Sequence, residues 1–159
     1  MRIEKKLEAL GLVLPPPLPI PPGLHVPFQW VRIRGNRAYV AGHCPQSPDG
    51  SIPMRGKVGS ALTVAQGYQA SRLTAVGMLA SLKRALGDLD RITAWLTVLG
   101  MVNCAPGFTN TPAVINGFSD LILAIWGPDT GSHARSAVGM AELPFGIPVE
   151  IEAVVEVSR

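Results

Sequence analysis

Apolar residues along this chain recur at intervals that change from segment to segment, and each change marks a different element. Within "VAQGYQASRLTAVGMLASLKRAL", Tyr68, Ala75, Leu79, Leu82 and Leu86 share one side at helical spacing. Thr63 and Gln66 stand at its start as a capping box, whose side chains satisfy the free amides of a first turn. Gly87 ends this helix, and Ala70, Gly77 and Ala80 leave small patches for close packing. "NTPAVINGFSDLILAIWGP" (110–128) predicts a second helix, with Pro112 in its first turn and Val114, Phe118, Leu121, Ile122 and Ile125 facing inward. Gly127-Pro128 is expected to stop it. Between the two, "RITAWLTVLGMV" (91–102) is apolar almost throughout and reads as a strand covered on both faces.

"FQWVRI" (28–33) and "RAYVAG" (37–42) flank Gly35-Asn36 as a hairpin. Two more strands fall within "SHARSAVGMAELPFGIPVEIEAVVEV" (132–157). Near the N-terminus, Ile3, Leu7 and Leu10 follow helical spacing, and the prolines of "LPPPLPIPPG" hold the next stretch extended. Residues 1–25 therefore read as an arm lying on the domain or on a neighbouring subunit, and 26–159 as a single domain. Two helices suffice to cover one face of the sheet. The other face, judged from the strand around Trp95, Leu99 and Met101, should stay apolar, so an oligomer whose sheets meet is expected.

Composition narrows the function classes. With 159 residues, 47% hydrophobic and 16% charged, the chain can bury a real core. A net charge of +3 without basic runs or aromatic–basic interleaving argues against nucleic acid as a partner. No apolar run approaches the ~20 residues needed to span a bilayer, so no membrane partner is expected. "MRIEKKLEAL" lacks the apolar core of a signal peptide. A cytoplasmic protein with Cys44 and Cys104 reduced is the expectation.

The candidate chemistry lies in the last two strands. Arg135, Ala137, Gly139 and Ala141 share one side of the first, while Glu150, Glu152, Val154 and Glu156 share one side of the second. A guanidinium in apolar surroundings needs a carboxylate partner. Two readings stay open on pattern alone: a structural Arg–Glu pair across strands, or an arginine held ready for a ligand's carboxylate. His43 beside Cys44 falls short of a zinc pattern, so no metal is expected.

"ARSAVGMAELPFGIPVEIEAVVEV" resembles the closing motif of the Rid family, the reactive intermediate deaminases also called YjgF-like proteins. "GNRAYVAGHCP", "LGDLDRITAWLTVLGMVN" and "FTNTPAVINGFSDLI" are similar to further family segments in the same order, so the resemblance spans residues 28–157. It implies a chorismate-mutase-like (bacillus-type) α+β domain: a mixed sheet with two helices on one face, assembled as a homotrimer with active sites in clefts between subunits. It also implies hydrolysis of enamines and imines such as 2-aminoacrylate to 2-keto acids and ammonia. By the same resemblance Arg135 would bind the substrate carboxylate, Glu150 would position water, and the Gly42 carbonyl would face the substrate nitrogen. Phe28, Ala137, Asn103 and His43 match positions near the cleft. A protonated imine is already electrophilic, so no cofactor is expected. The chain departs from the pattern at Phe28 (usually tyrosine), Ala41 (a small hydroxylated residue), His43 (glutamine) and Ala137 (cysteine), which makes the pocket less polar. A non-catalytic small-carboxylate-binding or regulatory trimer is the second reading, and a ribonuclease the third.

Overall fold

The structure is a computed structural model describing residues 1–159. Its elements run α1 (Arg2–Ala9), β1 (Val31–Arg34), β2 (Arg37–His43), α2 (Val64–Leu86), β3 (Ile92–Asn103), α3 (Thr111–Gly131), β4 (Ala134–Met140) and β5 (Val149–Val157). The strands form one five-stranded sheet in the order β1-β2-β5-β3-β4. Only β3 and β4 pair in parallel, because α3 carries the chain back across the sheet between them. The result is a mixed sheet with α2 and α3 on one face.

Local chemistry sets the helix ends. The Thr63 hydroxyl accepts from the Gln66 amide at 3.1 Å, and the Gln66 side chain accepts from the Thr63 amide at 2.8 Å. Gly87 takes φ 77° just beyond α2. Leu79, Leu82, Val114, Phe118, Ile122 and Ile125 bury against Val98, Val102, Ile151 and Val155 of the sheet. The two helices cross closely at Gly117, where a Cβ would lie 2.0 Å from the Tyr68 carbonyl oxygen.

Several details differ from the sequence reading. Trp95 lies on the helix-covered face, 2% exposed, with its ring 5.8 Å from Phe118 and 5.4 Å from Trp126. Irregular pairing of β3 with β5 around Trp95 and Thr97 shifts the alternation there. Beyond it Leu99 and Met101 face away from the helices and remain partly exposed, so β3 is covered on one face in the protomer. The open face is mixed: Leu99, Met101 and Val154 share it with Arg32, Tyr39, Glu150 and Glu152. β1 begins at Val31, after the aromatic pair Phe28 and Trp30. α3 breaks at Gly127 (φ 76°), as its Gly-Pro pair requires, but resumes for one turn to Gly131.

The N-terminal segment packs on its own chain. Ile3 and Leu7 are buried, whereas Leu10 is exposed. Asp90 accepts from the amides of Arg2 (2.5 Å) and Ile3 (2.7 Å), capping α1, and these bonds hold its pKa down at about 2. The proline stretch is tied down where Arg84 donates to the Pro15 carbonyl (3.2 Å) and Gln46 to the Pro16 carbonyl (3.3 Å).

Candidate functional site

Strand register decides where the arginine and the glutamates go. Arg135 pairs with Val98, and Val98 pairs with Ala153; Val98 and Ala153 are both buried under the helices. Alternation then puts Arg135 on the helix-covered side and Glu150 and Glu152 on the opposite side, with β3 between their strands. The intrachain Arg–Glu pair left open by the pattern is absent. The only ion pairs are Met1–Asp90, Lys57–Glu142 and Lys83–Glu4.

Neutral groups hold Arg135 instead. Its Nη1 donates to Asn116 Oδ1 at 2.9 Å and to Ser119 Oγ at 3.1 Å, and Nη2 lies 3.5 Å from the Pro112 carbonyl. His133 donates from Nδ1 to the Gly131 carbonyl (2.8 Å), leaving Nε2 to accept from the Ser119 hydroxyl (2.9 Å). Burial, with the charge of Arg135 adding to it, lowers the His133 pKa and keeps this ring neutral. The guanidinium is thus aimed from the edge strand β4 with no carboxylate of its own chain to neutralise it. Ala137, next on the same side, packs partly buried against the core, and its carbonyl accepts from Thr111 at 2.9 Å.

Glu150 lies in a different place. It lines a cavity of about 740 Å³ together with Phe28, Gly42 and His43, which the arm overhangs from Pro17 to Val26. The carboxylate fits against Gly42 so closely that a Cβ there would come 2.7 Å from Oε1. Burial raises the Glu150 pKa, and the charge of Glu152 raises it further. A carboxylate with elevated proton affinity, half-buried and unpaired, is suited to hold or take a proton from water.

His43 contributes its ring but no free polar atom. Nδ1 donates to the Ala41 carbonyl (2.6 Å), while Nε2 accepts from Ser81, which in turn accepts from Arg84. Burial lowers its pKa. The ring lies 5.5 Å from Trp30, whose other neighbour is Phe28 at 5.1 Å. Cys44 is no nucleophile at neutral pH, since burial pushes its thiol up to about 11. Asn103 is buried and bonded within the fold, donating to the Ile147 carbonyl (3.1 Å) and accepting from Lys57 (2.8 Å).

Within one protomer, then, Phe28, Gly42, His43 and Glu150 come together, whereas Arg135, Ala137 and Asn103 lie elsewhere. Sequence reasoning missed Arg55, which also lines the cavity and donates through Nε to the Phe145 carbonyl at 3.1 Å. It lies in an aperiodic loop with no spacing to flag it. Ser119 and His133 were missed as supports of Arg135. The i, i+3 placement of Asn116 and Ser119 on α3 was the available signal.

Residues 4–148 match the family described as "YjgF/chorismate_mutase-like, putative endoribonuclease". Protein TCP17 of Trypanosoma cruzi is 39% identical over 158 residues, covering 99% of this chain and 96% of that protein. Atu1372 of Agrobacterium tumefaciens, a solved protein of unknown function, is 41% identical with a TM-score of 0.87, over 98% of this chain and 94% of that one. E. coli TdcF with bound serine shares the fold at a TM-score of 0.59 and 21% identity, over 86% and 93% of the two chains. The chain belongs to the YjgF-like family, to which the Rid proteins also belong.

Proposed function

We propose that this protein hydrolyses reactive 2-imino and 2-enamino acids to 2-keto acids and ammonia. The observation that carries the reading is a pair of charges left unsatisfied: Arg135 meets only neutral partners, and Glu150 sits unpaired in its cavity. They stand on strands separated by β3 and on opposite faces. They can serve one substrate only if Arg135 of one protomer reaches the Glu150 cavity of the next, which a closed homotrimer would allow.

In that arrangement Arg135 grips the substrate carboxylate through its planar fork and holds the imine carbon beside the water that Glu150 orients. Glu150 takes a proton from this water as its oxygen bonds to the carbon. Glu150 then gives this proton to the carbinolamine nitrogen, the C–N bond breaks as the hydroxyl proton passes back to Glu150, and ammonia and the 2-keto acid leave. The Gly42 carbonyl would face the nitrogen, with Phe28 and His43 as walls and Ala137 beside the arginine. Asn103 takes no part, because its amide is committed to Ile147 and Lys57. The serine bound to TdcF is a small amino acid of the size such a clamp could hold.

The test generates imines with an amino acid oxidase in the presence of semicarbazide. Ammonia release faster than spontaneous hydrolysis, with less imine trapped, is expected. If no imine in a broad panel is accelerated while a 2-keto acid still binds, the protein is a carboxylate-binding module and the enzyme reading is wrong.

A further inference from the structure

The cavity around Glu150 is much larger than the smallest imino acids require. Its volume of about 740 Å³ lies within the ~300–1,000 Å³ typical of pockets for drug-sized ligands. Its walls also hold apolar surface that the fold leaves uncovered. Ile20 is 41%, Leu24 45%, Phe28 54% and Phe145 58% exposed, and all four line this one cavity. They are four of the eleven large apolar side chains exposed anywhere in the chain. Surface of this kind gathered in one concavity marks a place where an apolar group binds.

Of the charged side chains that line the cavity, Arg84 is tied to the Pro15 carbonyl and to Ser81, which leaves Glu150 and Arg55. Glu150 and Arg55 both lie close enough to Cys44 to influence its thiol, in opposite senses. Glu150 also touches Gly42, so the reacting end of a substrate belongs there. One side of the remaining wall is built by the arm, which is anchored through the Pro15 and Pro16 carbonyls and stiffened by its prolines. Ile20 and Leu24 are therefore presented by a preorganised strap rather than a loose tail.

Resting on the deaminase reading for the reacting end, we infer that this site selects 2-imino acids with a large apolar side chain, aromatic or branched aliphatic. Ile20 and Leu24 of the arm set that preference. A side chain of this kind would lie along the arm and cover the exposed faces of Ile20, Leu24, Phe28 and Phe145, whereas a methyl group would leave them wet. Covering one large apolar side chain changes affinity by roughly tenfold or more.

The experiment compares kcat/KM for imines made in situ from phenylalanine and leucine with that from alanine. The larger imines should be hydrolysed at least ~10-fold more efficiently, and Ile20→Ser/Leu24→Ser should lower the phenylalanine-to-alanine ratio by ~10-fold. Ile20→Ala alone should move the ratio in the same direction and serves if the double variant does not fold. Equal efficiency for all three imines, or a ratio unchanged by the arm variants, overturns the inference while leaving the deaminase reading in place. If no imine is accelerated, the deaminase reading fails, and binding decides the inference separately. Phenylpyruvate binding more tightly than pyruvate, with the difference lost in the arm variant, supports it; equal or absent binding overturns it.

Discussion

Replacing Gly42 by alanine adds one methyl group where the structure has no room for it. The new Cβ would stand 2.7 Å from Glu150 Oε1, 2.9 Å from its Cδ and 3.0 Å from its Cγ. Gly42 does not occupy the left-handed region, so the backbone itself accepts alanine. The clash falls on the end of a flexible side chain, which can swing aside. Stability should therefore change by about 1 kcal/mol or less. The carboxylate, however, must retreat by ~0.7 Å to reach an ordinary contact near 3.4 Å. Since ~1 Å of misplacement in a reacting group can cost ~100-fold, imine hydrolysis should fall by roughly 10- to 100-fold with the melting temperature nearly unchanged. The ammonia-release assay described above reads the rate, and thermal denaturation reads the fold. A Glu150→Ala background supplies the control, because the three atoms the methyl group approaches most closely are then gone and Gly42→Ala should cost little more. Full activity in Gly42→Ala, or an equal further loss in both backgrounds, would refute the role given to Glu150.

Glu150→Gln should abolish most turnover yet raise the melting temperature at neutral pH. Burial lifts the folded pKa of Glu150 above its ordinary 4.5, so ionised Glu150 weighs against folding above that pH and has no effect well below it. The stabilisation by glutamine should therefore vanish as the pH drops below 4.5, and the acid limb of wild-type kcat/KM should have its midpoint above that value. Arg135→Ala should slow hydrolysis by ~100-fold or more, with Arg135→Lys recovering only part, because an ammonium lacks the planar fork. Steady-state rates across the three proteins check this. Gly117→Ala should destabilise by about 3 kcal/mol or more, measured by denaturant unfolding, since its Cβ would collide with the Tyr68 backbone carbonyl, which cannot move aside.

Both long helices, the closing strands and the split of β5 into a core side and a glutamate side were legible in the sequence. Each follows from local periodicity or from a cap such as Thr63–Gln66. Trp95 was placed on the wrong face because irregular pairing changes strand phase without changing residue type. The core of the candidate site was half legible. Gly42 and Glu150 belong to strands that pair side by side, so their meeting follows from topology. Arg135 lies two strands away on the other face, and no single-chain pattern records what a neighbouring subunit would bring to it. Arg55, Ile20 and Leu24 escaped because loops and proline segments carry no periodicity to place them.

That Arg135 and Glu150 serve one substrate from two different subunits is tested most directly by mixing two inactive proteins, Arg135→Ala and Glu150→Gln, under conditions of subunit exchange. In a trimer with a site at each boundary, every mixed trimer holds one boundary where an intact Arg135 faces an intact Glu150. Random exchange of equal amounts should therefore restore about a quarter of wild-type imine hydrolysis. Exchange that demonstrably forms mixed oligomers yet restores no activity would contradict the shared site.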